Sequence, residues 1–288
     1  MVPTRLRVLF LSTLICCLAG DLRAAEHFPP DIKRIKDRGS LIVAQYEGEE
    51  RGFFEFANPS GEKDEPGVSY KGRRLVGFDI DLARDIAREL GVALELNRSA
   101  KTFDSVCRLV AEGKADIGIS ALSITLDRAQ YVNFTRPYAD FAMGVLVDRV
   151  FEVKARPWSS VRDLCNRSSA RVGVWQHTAH VSVAKRLFPK ARLVLLPGLI
   201  EMRTALQRGS VNAIISVEYD LLRMLRLHPS DSLRARLHRI TDVTDELGIA
   251  VRPDSPNLLN FLNLFLHRNK VMFDVQRILQ RLDEKPRG

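Results

Sequence analysis

The sequence predicts an α/β fold made of two lobes of similar build, and two observations carry this prediction. Segments with the two-residue period of strands alternate at short intervals with segments of helical period, which is the pattern of βαβ units with parallel strands. In addition, residues 93–120 and 191–216 each contain a strand, a helix that runs into a glycine, and a second strand that ends on serine. This internal repeat predicts two related lobes.

The composition allows two hydrophobic cores, and the first residues predict export. Of 288 residues, 45% are hydrophobic and 27% charged, as in ordinary globular proteins. Residues 1–24 combine Arg5 and Arg7, an apolar run and small residues near Ala24, which predicts a cleaved signal peptide and a periplasmic protein. The apolar run breaks at Asp21 and is shorter than the roughly 20 residues that span a bilayer. A lipid anchor on a leader cysteine is the disfavoured alternative, because the residues before both cysteines are poor substitutes for the small residue expected there.

The elements of the first lobe follow in order after the leader. The pattern predicts a short helix over residues 31–37, a strand over residues 40–45, and a loop or solvent-exposed hairpin in the polar segment 57–74. Apolar residues at helical spacing then predict a helix that begins at Phe78 and stops at Gly91.

Two predicted crossings connect the lobes. An apolar strand over residues 138–148 leads into the second lobe, and residues 246–252 lead back to amphipathic helices over residues 256–282. We therefore predict a first lobe made of residues 25–140 and 248–288 and a second lobe made of residues 141–247. Two crossings form a hinge that can open and close.

A polar elbow follows the predicted strand that ends at Ser120. Because ligands of such folds bind beyond the carboxyl ends of parallel strands, we expect Ser120 and Ser216 to face the same gap from opposite lobes. Ser123 and Arg128 follow Ser120 in the elbow, and an arginine offers a planar fork that matches a carboxylate. The alternative is that Arg128 pairs with Asp127 or caps a helix at the surface.

Three stretches resemble one known family: GFDIDLARDIARELG, GKADIGISALSITLDRAQYVNFTRPY and ARVGVWQHTAH. In their order and spacing they are similar to the bacterial extracellular solute-binding proteins of family 3, which serve polar amino-acid ABC importers. The resemblance implies a periplasmic binding protein of type II, with a mixed sheet flanked by helices in each lobe and two hinge crossovers. It implies capture of a small carboxylate-bearing solute, an amino acid or related organic acid, by lobe closure and delivery to an inner-membrane ABC permease.

The resemblance also assigns roles to residues of the elbow. It places Ser120, Ser123 and Arg128 in the ligand site, with the guanidinium on the ligand carboxylate. Thr125 is expected to be the N-cap of a short helix over residues 126–131.

The chain departs from the family pattern at the end of the second-lobe strand. Members that bind amino acids place an acid there for the α-ammonium group, but the corresponding residue is Val217. Glu218 is adjacent and is the candidate replacement, although neighbouring strand residues point to opposite faces. Without an acid, an α-ammonium group would be buried unpaired, which predicts a ligand that lacks an α-amine.

Two further departures affect the walls of the site. His177, Thr178 and Ala179 replace the usual Gly-Thr-Thr, so we expect His177 to narrow the pocket, and Thr178 to cap the following helix and contribute with Ala179 to the site. For the aromatic platform, Phe53 is the preferred ring and Tyr46 the second choice. The alternative is that both rings fill lobe packing.

Other functions find less support. Common hydrolase, dinucleotide-binding and metalloprotease motifs are absent, so we expect a binding protein that is not an enzyme and needs no cofactor or metal. The runner-up is an enzyme similar to the periplasmic cyclohexadienyl dehydratases, with Glu218 or His177 as general acid. A third possibility is a sensor that acts in trans and docks through an arginine-rich stretch from Arg223 to Arg239.

The remaining expectations concern partners and thiols. The chain carries a net charge of +9, which favours anionic neighbours, but its basic residues are spread out and export separates it from nucleic acid. We expect a monomer. His177 and His180 are interpreted as ordinary polar histidines, and Cys107 and Cys165 as unpaired, partly buried thiols.

Overall fold

The computed structural model describes residues 27–57 and 66–283. The predicted signal peptide lies outside the described residues, as does part of the polar segment 57–74. Among the helices of the described residues, none has the length and apolar character needed to cross a membrane.

Helices and strands alternate along the described chain. The helices are α1 Pro30–Arg38, α2 Phe78–Glu89, α3 Phe103–Ala111, α4 Arg149–Lys154, α5 Val161–Cys165, α6 His180–Leu187, α7 Leu199–Gln207, α8 Glu218–Leu227, α9 Asp231–Arg234, α10 Pro256–Arg268 and α11 Val275–Asp283, with a 3₁₀ helix at Arg128–Gln130. The strands are β1 Ser40–Tyr46, β2 Glu55–Phe56, β3 Val68–Tyr70, β4 Arg73–Val76, β5 Ala93–Ala100, β6 Ile117–Gly118, β7 Asn133–Phe134, β8 Ala139–Asp148, β9 Arg171–Trp175, β10 Arg192–Leu196, β11 Ala213–Val217, β12 Ala235–Leu247 and β13 Ala250–Val251.

Each lobe is built on a five-stranded mixed sheet. The first has the order β5-β1-β6-β13-β7, with β1 parallel to β5 and β6 and with β13 antiparallel to its neighbours. The second has the order β10-β9-β11-β8-β12, in which β9, β10 and β11 are parallel and β8 is antiparallel to both of its neighbours, β11 and β12. The predicted fold class, two lobes with mixed sheets flanked by helices, is confirmed.

The internal repeat of the sequence corresponds to the same substructure in both lobes. The two strands of the unit β5-α3-β6 lie on either side of β1 in the first sheet, and the two strands of the unit β10-α7-β11 lie on either side of β9 in the second. Gly113 and Gly209 follow the two helices with φ angles of 72° and 70°, a left-handed conformation that glycine adopts without steric cost.

The two crossings lie side by side. Strands β8 and β12 pair from Asp148 opposite Ala235 to Ala139 opposite Leu247, with one irregularity in β12 between Ile240 and Thr244. Just before β8, the Tyr138 N–H donates to the Leu247 carbonyl at 2.9 Å, and three residues after Leu247 the chain re-enters the first sheet as β13. This paired ribbon is the hinge.

The N-terminus of α2 contacts the loop that forms one wall of the space between the lobes. The Phe78 and Asp79 N–H groups donate to the Gly52 and Phe53 carbonyls at 2.8 and 2.9 Å. Gly77, at φ 128°, allows this approach, because a Cβ there would lie 2.2 Å from the Phe53 carbonyl oxygen.

Two surface predictions can be compared with the structure. Strands β3 and β4 form an antiparallel hairpin within the polar segment, beside β2, as one of the predicted alternatives had it. Cys107 and Cys165 are unpaired, as predicted, and both are buried.

Candidate functional site

A cleft lies between the two lobes, and it combines charged and aromatic walls. Its polar and charged lining residues are Glu50, Ser123, Arg128, Thr178, His180, Asp220 and Asp245. Its aromatic lining residues are Phe53, Phe103, Phe141, Trp175 and Tyr219. The two lobes and the hinge all contribute.

Arg128 lies in this cleft with only 3% of its surface exposed. Its Nε donates to Asp104 Oδ1 and its Nη1 to the Ser123 carbonyl, both at 2.9 Å, so its ion-pair partner is Asp104 rather than Asp127. Nη2 has no acceptor among the described residues. The guanidinium is therefore held in place and can still bind a ligand carboxylate.

The elbow that carries Arg128 is fixed by short-range hydrogen bonds. The Thr125 hydroxyl accepts from the Arg128 N–H at 3.2 Å, which is the capping contact predicted for Thr125, although the 3₁₀ helix that follows is shorter than predicted. Ser123 lines the cleft, and its hydroxyl donates to Asp245 Oδ2 at 3.0 Å.

Asp245 connects the first lobe, the hinge and the second lobe. It lies on β12, accepts from Ser123, and is 3.1 Å from His180 Nε2 at the start of α6. Burial alone would lower the pKa of His180, but the hydrogen bond and charge of Asp245, with the charge of Asp220, outweigh burial and raise it. Asp245 and His180 thus form a buried polar pair in the cleft.

A second group of charges involves Glu50 of the first lobe and Asp220 of the second. Arg223 Nη2 is 4.0 Å from Glu50 Oε1 and 3.8 Å from Asp220 Oδ1, and Asp220 also accepts from the Ser216 hydroxyl at 2.6 Å. Burial, with the nearby charge of Asp220, raises the pKa of Glu50 to about 8. This part of the cleft has two carboxyl groups to one guanidinium, so a positively charged ligand group would stabilise the ionised form of Glu50.

The aromatic walls come from both lobes. Phe53 meets Phe141 and Tyr219 edge-on, with ring centroids 6.0 and 5.9 Å apart, and Phe103 meets Trp175 in the same way at 5.9 Å. Phe53, the preferred ring, therefore lines the cleft. Tyr46 does not line the cleft. Its ring packs against Phe103, with the two ring centroids 5.1 Å apart.

The turn before α6 differs from the prediction. Thr178 and Ala179 line the cleft, but the Thr178 hydroxyl donates to the Trp175 carbonyl at 2.7 Å and does not cap α6. His177, in a left-handed conformation with φ 59°, is exposed and does not narrow the cleft. The histidine that does so is His180, because α6 begins at this residue and directs it inward.

Ser120, Ser216 and Glu218 do not line the cleft, so the expectation that the two serines face a common gap is wrong. Ser120 and Ser216 are fully buried behind the cleft, where Ser120 accepts from the Tyr46 N–H at 3.0 Å and Ser216 donates to Asp220. Glu218 points away from its neighbour Val217 and pairs with Arg239. In each case a buried polar group is satisfied within its own lobe.

These positions also bear on the alternative functions. Neither Glu218 nor His177, the two general acids of the dehydratase alternative, lines the cleft. The arginine-rich stretch of the sensor alternative is largely ion-paired, since Arg234, Arg236 and Arg239 pair with Asp148, Glu152 and Glu218.

Sequence reasoning missed Asp220, although it follows Val217 by only three residues. Because α8 begins at Glu218, less than one helical turn brings Asp220 back to the cleft. Asp220 and Asp245 supply carboxylates that counting along the strand did not find. The absence of an acid at Val217 therefore no longer argues for a ligand without an α-amine.

Comparisons with known proteins agree with this geometry. The chain is 27% identical to the ABC transporter arginine-binding protein 1 of Escherichia coli K12, over 78% of this chain and 92% of that relative. An amino acid ABC transporter substrate-binding protein of Streptococcus pneumoniae bound to L-arginine superposes with a TM-score of 0.64 at 27% identity, covering 86% of this chain and 94% of that one. An ancestral amino acid-binding protein, a precursor of cyclohexadienyl dehydratase, superposes with a TM-score of 0.64 at 25% identity, covering 87% and 98%.

The family comparison extends over most of the chain. The model of the bacterial extracellular solute-binding proteins, family 3, matches residues 61–281, which include the elbow, the hinge strands and the cleft residues of the second lobe. The chain belongs to the bacterial extracellular solute-binding proteins of family 3.

Proposed function

We propose that this protein captures a cationic L-amino acid in its interlobe cleft and delivers it to an ABC-type permease. The observation that carries the proposal is the distribution of charge in the cleft. Arg128, Asp245 and His180 form a group of mixed charge, whereas Glu50 and Asp220 form a predominantly acidic group.

The mixed group suits the part that all amino acids share. The ligand carboxylate would bind the free Nη2 of Arg128 and the His180 N–H at the start of α6, since the N–H groups of the next three residues donate to the Thr178 and Ala179 carbonyls. The α-ammonium group would bind Asp245, whose position on the hinge lets it serve a ligand held between both lobes. An unpaired buried ion would cost several kcal/mol, so both charges of the ligand need such partners.

The acidic group suits a cationic side chain. A guanidinium or ammonium between Glu50 and Asp220 would favour the ionised form of Glu50 and would pair with both carboxyl groups beside Arg223. Tyr219 and Phe53 present aromatic surfaces beside it, and cations bind favourably to such faces. The arginine-binding relative from Escherichia coli and the arginine complex from Streptococcus pneumoniae support this ligand class.

The site of action follows from the family and the leader. Members are extracellular binding proteins, and the predicted signal peptide directs this chain to the periplasm, where it would meet an inner-membrane permease. We propose that it acts there as a monomer.

Calorimetric titration of the wild type with L-arginine, L-lysine, L-glutamine and succinate tests the proposal. We expect L-arginine or L-lysine to bind most tightly. Asp220→Asn should weaken L-arginine binding by at least about tenfold, with a smaller effect on any L-glutamine binding. Asp242→Asn, at an exposed aspartate paired with Arg162, is the matched control and should leave affinity unchanged. Binding of succinate in preference to every amino acid would overturn the proposal.

A further inference from the structure

We propose that Asp79 is a positioning residue for the solute site, because its buried carboxylate holds the elbow that carries Arg128. Asp79 is the second residue of α2, is fully buried and does not line the cleft. Its role would therefore be indirect. The inference rests on the proposed function only for the choice of L-arginine as the probe.

Both oxygens of the Asp79 carboxylate accept a hydrogen bond. The Ala121 N–H donates to Oδ2 at 2.7 Å, and the Tyr138 hydroxyl donates to Oδ1 at 3.0 Å. Burial raises the pKa of Asp79 to about 7, although both hydrogen bonds act to lower it. Through these two hydrogen bonds, Asp79 connects the start of α2 to the elbow and to the residue that precedes β8.

Ala121 is the residue of the elbow that needs support. It lines the cleft with φ 45°, a left-handed conformation in which the Cβ of an L-residue is crowded. The hydrogen bond to Asp79 stabilises this conformation. Without it, Ala121 is free to relax toward negative φ, which would redirect the chain that follows.

The chain that follows contains the direct contact to Arg128. Two residues after Ala121, the Ser123 carbonyl accepts from Arg128 Nη1 at 2.9 Å, and the Ser123 hydroxyl donates to Asp245. A displaced elbow would move this carbonyl and hence the guanidinium. Asp79 thus acts on Arg128 through Ala121 and Ser123.

The second hydrogen bond of the carboxylate leads to the hinge. Tyr138 immediately precedes β8, and its N–H donates to the Leu247 carbonyl of the other crossing strand. Tyr138→Phe removes this bond and leaves the bond from Ala121 in place. It is therefore a matched control for the loss of one hydrogen bond at Asp79.

The test compares L-arginine affinity and ligand-free thermal stability in a set of variants. Asp79→Ala should lower affinity by about tenfold or more, whereas Asp79→Asn should stay within about threefold, since its amide oxygen can accept from Ala121 and its amino group can donate to Tyr138. Tyr138→Phe should lower the melting temperature with little change in affinity. In the Asp79→Ala background, Ala121→Gly should recover a large part of the lost affinity, because glycine adopts φ 45° without strain.

Several results would overturn the inference. Wild-type affinity in Asp79→Ala would do so. A loss of affinity in Tyr138→Phe equal to that in Asp79→Ala would also do so. The third such result is a double variant, Asp79→Ala with Ala121→Gly, whose affinity relative to the Ala121→Gly single variant is reduced as much as that of Asp79→Ala is relative to wild type. If Asp79→Ala cannot be purified, Asp79→Ser replaces it, since its hydroxyl is too short to reach Ala121. If the wild type does not bind L-arginine, the Asp79 variants are compared with whichever of the other three probes of the titration, L-lysine, L-glutamine or succinate, binds the wild type. The proposed function fails if neither L-arginine nor L-lysine binds.

Discussion

The substitution Glu50→Gln should raise the free energy of unfolding of this protein and lower its affinity for L-arginine. Burial and the charge of Asp220 raise the pKa of Glu50 from 4.5 to about 8. The folded state therefore holds a proton on Glu50 that the unfolded state has released. The stabilisation that this proton represents is complete below pH 4.5 and is lost as pH rises toward 8.

Glu50→Gln mimics the protonated form at every pH. Each pH unit above 4.5 costs the wild type about 1.4 kcal/mol of unfolding free energy through this group, so the loss at pH 7 is about 3 kcal/mol. The difference in stability, Glu50→Gln minus wild type, should therefore grow with pH between 4.5 and 8. The same substitution should weaken L-arginine binding, because a bound cation favours the ionised form of Glu50, which glutamine cannot adopt.

Urea unfolding of ligand-free protein at several pH values measures the first effect, and calorimetry measures the second. Glu47→Gln is the control, since Glu47 is an exposed glutamate of the same loop and lacks the burial that acts on Glu50. A Glu50→Gln difference that does not depend on pH would refute the reasoning, because it would mean that Glu50 is not buried against Asp220 in the ligand-free protein.

Three other predictions concern single residues. Arg128→Lys keeps the charge but loses the planar fork, so L-arginine affinity should fall by at least about tenfold in calorimetry; equal affinity would exclude a forked contact. His180 has a pKa raised above 6.5, so its contribution to stability is complete below pH 6.5 and is lost as pH rises through the folded pKa. His180→Gln should therefore be clearly less stable than wild type at acidic pH and closer to it at alkaline pH. Urea midpoints that show the reverse would contradict the pairing with Asp245. Burial raises the pKa of Cys107 to about 11 and that of Cys165 to about 12, so peptide mass spectrometry should find both thiols unalkylated in native protein and alkylated in denaturant.

The parts of the fold that sequence reasoning predicted are those that depend on local pattern. Strands and helices follow from the periodicity of apolar residues, and Gly113 and Gly209 mark helix ends because of their own backbone freedom. The internal repeat predicted two lobes because the same order of elements recurs. Arg128 was identified as a cleft residue from its position after a strand end, where the topology of parallel sheets directs loops toward ligands.

The direction in which a side chain points was harder to predict than its place in a strand or loop. Ser120 and Ser216 end the two predicted strands, but the direction of a hydroxyl depends on its hydrogen-bond partner: Ser120 accepts from the Tyr46 N–H and Ser216 donates to Asp220, and neither serine lines the cleft. Glu50 stands in a charged loop whose sequence gives no sign that it would be buried beside Asp220. The acidic part of the cleft was missed for this reason.

The sequence by itself determined the two lobes, the hinge between them, and an elbow with an arginine for an anionic group, because each of these rests on residues close together in the chain. Only the tertiary structure decided the other side of the site. Asp245 is 122 residues from Ser123 and 65 from His180, and they meet because two separate strands form one hinge. The energy of a buried charge depends on its neighbours in three dimensions. Residues this far apart in the chain can therefore be assigned to one site only from the tertiary structure.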